Sequence, residues 1–211
     1  MTKPQFLGAA VLLLASAATS HAAAVVILNS SFESPGGNPM TYASATDWAG
    51  SSFTEISTEV SLTGGTGVRY GGQLASTTMT QDLGVTFLAN TTYTLTVALG
   101  NRVVGDISGS MRFGLTNGGT ELGTFTLVAV PSAVTGGTFQ DFTYTFTTGA
   151  VAPTGNVGIS LEAPDPSQSQ FGPGRGVFDN VRLDASPVPE PSAGLCALIG
   201  ASLILAHRRR R

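Results

Sequence analysis

Any chemistry between residues 25 and 186 has to be done without histidine, cysteine or lysine. Both histidines (His21, His207), the one lysine (Lys3) and the one cysteine (Cys196) stand outside that stretch. Their absence removes Ser-His-Asp and Cys-His nucleophilic sites, Schiff-base chemistry and His-ligated zinc together. Carboxylates remain, and a pair of them could hydrolyse a glycoside. The spacing of Asp47, Glu55, Glu59, Asp106, Glu121 and Asp141 singles out no such pair, so the expectation is a protein that is not an enzyme. Asp179, in "VFDNVRL", differs in kind. It shares its alternation phase with Val177, Val181 and Leu183, which turns it inward among apolar neighbours. An ionised carboxylate in that position needs a cation or several backbone N–H groups, and both readings stand. "FGPGRG" at 171–176 precedes a strand and lacks a Lys-Ser/Thr ending, so it is no phosphate loop.

The elements that must position these groups read as strands. In "TTYTLTVALG" Tyr93, Leu95, Val97 and Leu99 alternate with threonines and Ala98. Phe142, Tyr144 and Phe146 alternate with threonines in "DFTYTFTT", and Val157, Ile159 and Leu161 repeat the pattern. Further strands are expected at 25–32, 52–60, 72–80, 109–116, 121–130 and 176–184, divided by turn signals such as "TGGTG" and "TNGG". Many short strands and no helical period predict an all-β chain, an antiparallel sandwich. Charged residues are 11% of the chain and Gly numbers 27, which suits an exported β-rich protein. Five arginines stand against twelve carboxylates between 25 and 186, a balance of −7, so no nucleic acid is expected as a partner.

Both ends carry processing signals. Residues 1–24 have Lys3, an apolar run from Phe6 to Ala18 and small residues before Val25, the pattern of a signal peptide cleaved after Ala22 or Ala24. At the other end Pro189, Glu190 and Pro191 precede an apolar run, Ala193 to Ala206, and then Arg208, Arg209, Arg210 and Arg211. The run is expected to be a transmembrane helix with the arginines inside and the body outside. Residues 187–211 closely resemble the PEP-CTERM sorting signal of Gram-negative bacteria. The resemblance implies an exosortase as partner, anchoring in the inner membrane in transit, and delivery to the cell envelope or extracellular matrix.

The body, 25–186, has "NSSFESP" at its start, then "DWAG", "GGQLASTTMTQDL", "LANTTYTLTVALG", "GTFQDFTYTFTT" and a closing "VFDNVRL". In this order the segments resemble the jelly-roll, galactose-binding-like sandwiches of carbohydrate-binding modules. The resemblance implies binding of extracellular polysaccharide, the alternative being a structural surface protein with no small ligand. Trp48, Tyr42 and Tyr70 are its candidates for stacking on sugar rings, with Arg69, Arg102 and Gln73 as polar partners, although a lone tryptophan is more often core. It also implies a structural Ca²⁺ held by Glu33, after the opening Phe, and by Asp179 in the closing strand.

Overall fold

The protein is described here from a computed structural model covering residues 22–36, 40–41, 44–50, 53–56, 62–73, 76–102, 108–163 and 175–188. In chain order the strands are β1 (Ala23–Val25), β2 (Met40–Thr41), β3 (Ala49–Gly50), β4 (Phe53–Ile56), β5 (Arg69–Gln73), β6 (Thr77–Thr86) and β7 (Thr91–Gly100). They continue with β8 (Ser110–Asn117), β9 (Thr120–Glu121), β10 (Thr126–Ala129), β11 (Phe139–Thr147), β12 (Asn156–Ala163) and β13 (Gly176–Pro187). A single helical turn, α1 (Val130–Ala133), follows β10. Among the described residues no helix is long and apolar enough to cross a membrane, and the expected spanning run lies outside them, as does the signal peptide up to His21.

Two antiparallel sheets make the sandwich. Sheet 1 runs β11-β7-β13-β5-β4-β2, with β1 also on β13; sheet 2 runs β10-β8-β12-β6-β3, with β9 on β8. The expected alternation puts the large residues between them. Leu95, Val97 and Leu99 of β7, Met111, Phe113 and Leu115 of β8, and Val157, Ile159 and Leu161 of β12 have no exposed surface. On β11 the alternation is the same but the burial is less, because an edge strand covers only part of Phe142 and Phe146. Three expected strands are cut short. The 25–32 run stops at Val25 and turns through Asn29, at φ 46°. The 72–80 run breaks at Ser76, at φ 58°, into β5 and β6. The 121–130 run is divided between β9 and β10.

Strand β13 holds the feature that matters most for the site. Phe178 pairs with Leu99 and Asp179 with Ala98, yet Leu183 pairs with Leu95, so one residue too many lies between Asp179 and Arg182. The surplus is a β-bulge at Asn180, whose φ is 46°. Paired residues share a face. Phe178, Val181 and Leu183 therefore face the core with Leu95 and Leu99. Asp179 and Val177 face away from it, on the outer side of sheet 1. The sequence alternation had placed Asp179 with Val181 and Leu183, and the bulge is why it does not stay there.

Candidate functional site

The outer face of sheet 1 gathers the ionisable groups. Register places Glu55 beside Tyr70 on β4 and β5, Val177 beside Gly72, and Asp179 on the same side with Phe139 of β11, which pairs with Gly100. Although it faces outward, Asp179 has no exposed surface. Its Oδ2 accepts a hydrogen bond from the Thr66 N–H (2.5 Å) and its Oδ1 one from Asn180 (2.7 Å). Gly65 is a necessity here, since a Cβ on it would meet Asp179 Oδ2 at 2.6 Å and the Phe139 ring at 3.1 Å.

Glu33 grips the same loop from the other side. Its Oε1 accepts from Val68 (3.0 Å) and Arg69 (2.8 Å), and Gly67, at φ +76°, has no room for a side chain against that carboxylate. Asn29 fixes the segment that carries Glu33. Its amide bridges Ser34 O (2.6 Å) and Thr46 O (2.9 Å), while its Oδ1 accepts from Ser34 N. Phe32, at φ 57° and with no exposed surface, packs against Trp48 with ring centroids 5.1 Å apart.

Burial pushes the Asp179 carboxyl up to about 7; the two amide bonds oppose this rise, and the charge of nearby Glu33 adds to it. Tyr70 is raised above its ordinary value by burial and by its bond to Glu55, with Arg102 opposing. These three form one buried cluster. Tyr70 OH donates to Glu55 Oε2, and Arg102 Nη1 donates to Glu55 Oε2 (2.8 Å) and to Tyr70 OH (3.0 Å). The Tyr70 ring stands 6.3 Å from that of Phe139, which leads on to Gly65 and Asp179.

The structure therefore redistributes the sequence candidates. Glu33 and Asp179 do come together, around the 65–69 loop. Trp48 is core, and its Nε1 donates to Asn29 O (3.2 Å). Arg69 is buried, with its Nη2 bonded to Thr54 O (3.1 Å). Tyr70 and Arg102 are buried partners of Glu55. Gln73 closes β5, but its side chain lies outside the described residues, as does Tyr42. Among the described candidates no aromatic ring is displayed on an open groove, which is what stacking on a sugar requires. Sequence reasoning weighed Glu55 only as one of six carboxylates with no telling spacing and passed over Phe139. The signal was present in the "FTEI" and "RYGG" strands, whose paired phases put Glu55 next to Tyr70. Elsewhere, a groove of about 640 Å³ near Val25, Val85 and Leu88 is lined by no carboxylate and no arginine. Among the described residues no group of three or more His, Cys, Asp or Glu could hold a metal ion.

A family model described as HpiC1-like, HpiC1 cyclase, matches residues 23–184. The chain belongs to the HpiC1-like family. Similar solved structures include the Stig cyclase Fisc from Fischerella sp. TAU in complex with (3Z)-3-(1-methyl-2-pyrrolidinylidene)-3H-indole. It is 22% identical, with a TM-score of 0.66, over 79% of this chain and 99% of that one. An apo cyclase from Fischerella sp. is 23% identical, with a TM-score of 0.67, over 80% and 98%. A third, a Fischerella sp. TAU cyclase with 4-(1H-indol-3-yl)butan-2-one, is 22% identical, with a TM-score of 0.62, over 80% and 100%. At such identities the likeness speaks for the fold. No curated protein matches the chain.

HpiC1-like membership corrects several expectations. The matched family is a cyclase family, so neither a non-enzymatic sugar-binding module nor a passive surface protein describes the body. Assignment to the PEP-CTERM proteins gives way to it as well, and exosortase and polysaccharide drop out as partners. Pro189, Glu190 and Pro191, with Arg208, Arg209, Arg210 and Arg211, lie outside the described residues. The exclusion of catalysis failed for a physical reason. It weighed histidine, cysteine and carboxylate pairs, whereas a single buried carboxyl near neutrality can already act as an acid.

The raised Asp179 has a measurable signature. Folded protein keeps a proton that the unfolded chain, with its ordinary value of 3.8, releases. Stability contributed by this group is thus complete below about pH 4 and declines as pH rises toward about 7. The melting midpoint is expected to fall across that window, and Asp179→Asn is expected to flatten the fall. A variant profile as steep as the parent's would assign the dependence to other groups.

Proposed function

We propose that this chain catalyses proton-initiated ring closure of a small, unsaturated aromatic substrate, with Asp179 as the acid. The observation that carries the reading is a fully buried carboxyl held near neutrality close to the Phe139 ring, in a chain of the HpiC1-like family. Indole compounds bound to the similar Fischerella cyclases support an aromatic substrate.

The step balances without any co-reactant. Asp179 gives its proton to a carbon of a substrate double bond, leaving a carbocation. An internal π bond attacks that cation, forming the new ring bond, and the cyclised cation loses a proton back to the carboxylate. The product is an isomer of the substrate. Amides of Thr66 and Asn180 hold the carboxylate while it is charged. The faces of Phe139 and Tyr70 stabilise positive charge on the substrate.

Turnover of an indole bearing an unsaturated chain, followed by chromatography and mass spectrometry, tests this. Asp179→Asn is expected to lower kcat by about 10²- to 10⁴-fold, the usual worth of a positioned acid. The parent rate should decline as pH rises through about 7, where the acid form is lost. Undiminished turnover in Asp179→Asn would remove Asp179 from the reaction.

Calcium belongs to the proposal as a structural ion held through Glu33. Glu33 Oε2 has no bond among the described residues, and further oxygen ligands would come from backbone carbonyls. Both Asp179 oxygens are already taken by amides, and a cation on them would favour the ionised form and oppose the acid role. Adding Ca²⁺ is expected to raise the melting midpoint of the parent and not that of Glu33→Gln. Equal response, or none in either, would remove the ion from Glu33.

Export of the body is also proposed, on the leader pattern of residues 1–24. Cleavage after Ala22 leaves β1 whole, with Ala23 opposite Ala185, whereas cleavage after Ala24 would remove two of its three residues. N-terminal sequencing of secreted protein is expected to begin at Ala23.

A further inference from the structure

Asp179 faces the outer side of sheet 1, yet none of it reaches the surface, and one of its covers is the short stretch 64–67. Both flanks of that stretch are pinned. The Thr63 N–H donates to Gly137 O (3.0 Å) and Thr63 O accepts from Phe139 N–H (3.2 Å), while Val68 and Arg69 donate to Glu33 Oε1. Between the pins all four residues are exposed. Among the described residues they make one hydrogen bond, from the Thr66 N–H to Asp179 Oδ2. Three of the four are glycines, so the stretch buries almost no side chain. Gly64, at φ +82° with open space around it, is there for its backbone and not for packing. The Phe139 ring, which meets Gly65 beside the carboxyl, belongs to β11, and that strand is paired with β7 from Phe139 to Thr147. Of these two covers, the glycine stretch is the one that can move without breaking a sheet.

We propose that residues 64–67 are a lid, which lifts to admit the substrate to the Asp179 carboxyl and settles back over it for the reaction. This rests on the reading of Asp179 as the acid, and it supplies what that reading requires. A carboxyl with no exposed surface meets no substrate while it stays covered. Lifting breaks the Thr66 bond and exposes little apolar surface, which places the motion among the low-cost local openings. Glu33 at one end and the Thr63 bonds at the other keep the flanks seated, so the lid returns to the same place. Once closed, it keeps water from the cation that protonation creates.

Labelling of carboxyls in the full chain with a water-soluble carbodiimide and glycinamide, read by peptide mass spectrometry, tests the lid. Asp141, an exposed carboxyl in register with Asp179 across Ala98, serves as the reference for the reagent. Asp179 is expected to label in the folded protein at a rate, relative to Asp141, that stays within about twofold at urea concentrations below unfolding, because a lifting lid exposes little surface. Gly65→Ala is expected to raise that rate about 10-fold, since a Cβ meeting Asp179 Oδ2 at 2.6 Å props the lid open. Gly65 has no positive φ to strain, so the substitution acts through that contact. Should the variant fail to fold, the urea profile of the parent decides alone. An Asp179 rate that climbs with urea along the unfolding curve, or one left unchanged in folded Gly65→Ala, overturns the lid. Labelling reads access alone, so its failure removes the lid and leaves the acid, whereas undiminished turnover in Asp179→Asn removes the acid and leaves the labelling as it is.

Discussion

One extra residue in β13 sets up everything at the outer face of sheet 1. Without the bulge at Asn180, the alternation that puts Leu183 in the core would carry Asp179 there too, between two sheets of aliphatic side chains. A carboxyl in that place would meet no amide. With the bulge it meets two, one from Asn180 itself and one from a loop 113 residues earlier in the chain. The left-handed conformation of Asn180 is tolerable because a short amide side chain is among the few that visit it readily. A local backbone irregularity thus converts a strand that would be ordinary core into one that presents a carboxyl to a loop.

The site uses two different solutions to the same electrostatic problem. Glu55 is buried and matched by Arg102, so its charge is met by a charge at 2.8 Å. Asp179 is buried without a cation, so its proton takes the place of one. Had the arginine stood beside Asp179 instead, the carboxyl would be locked in its ionised form. The Tyr70 and Phe139 rings lie between the ion-paired carboxylate and the one that burial pushes up to about 7.

Legibility of the fold in the sequence came from period two alone. Threonine against Tyr, Leu and Val in β7, and Val157, Ile159 and Leu161 in β12, reported both the strands and their core-facing sides. Where the backbone departs from an extended conformation, at Asn29, Ser76 and Asn180, the reading ran past the break, because the turn preference of a single Asn or Ser is weak beside an otherwise continuous strand pattern. Glu33 and Asp179 were paired only through the resemblance to jelly-roll modules, which implied an ion between the first and last strands. Their common attachment was not, because it is a glycine loop whose amides, rather than any side chain, do the holding. Tyr70 and Arg102 were noticed for the wrong reason. Stacking on a sugar was expected of Tyr70 and a polar contact of Arg102, and the contacts with Glu55 that bury both are long-range properties.

Closure of the body has a kinetic consequence. Strand β1, the first of the described strands, pairs with β13, the last of them, and the loop that holds Asp179 waits for that last strand. Contacts so distant in sequence form slowly, since the chain must lose its loop entropy before they reward it. The Thr66 amide therefore stays without its carboxylate until β13 has been made and the first and last described strands have met.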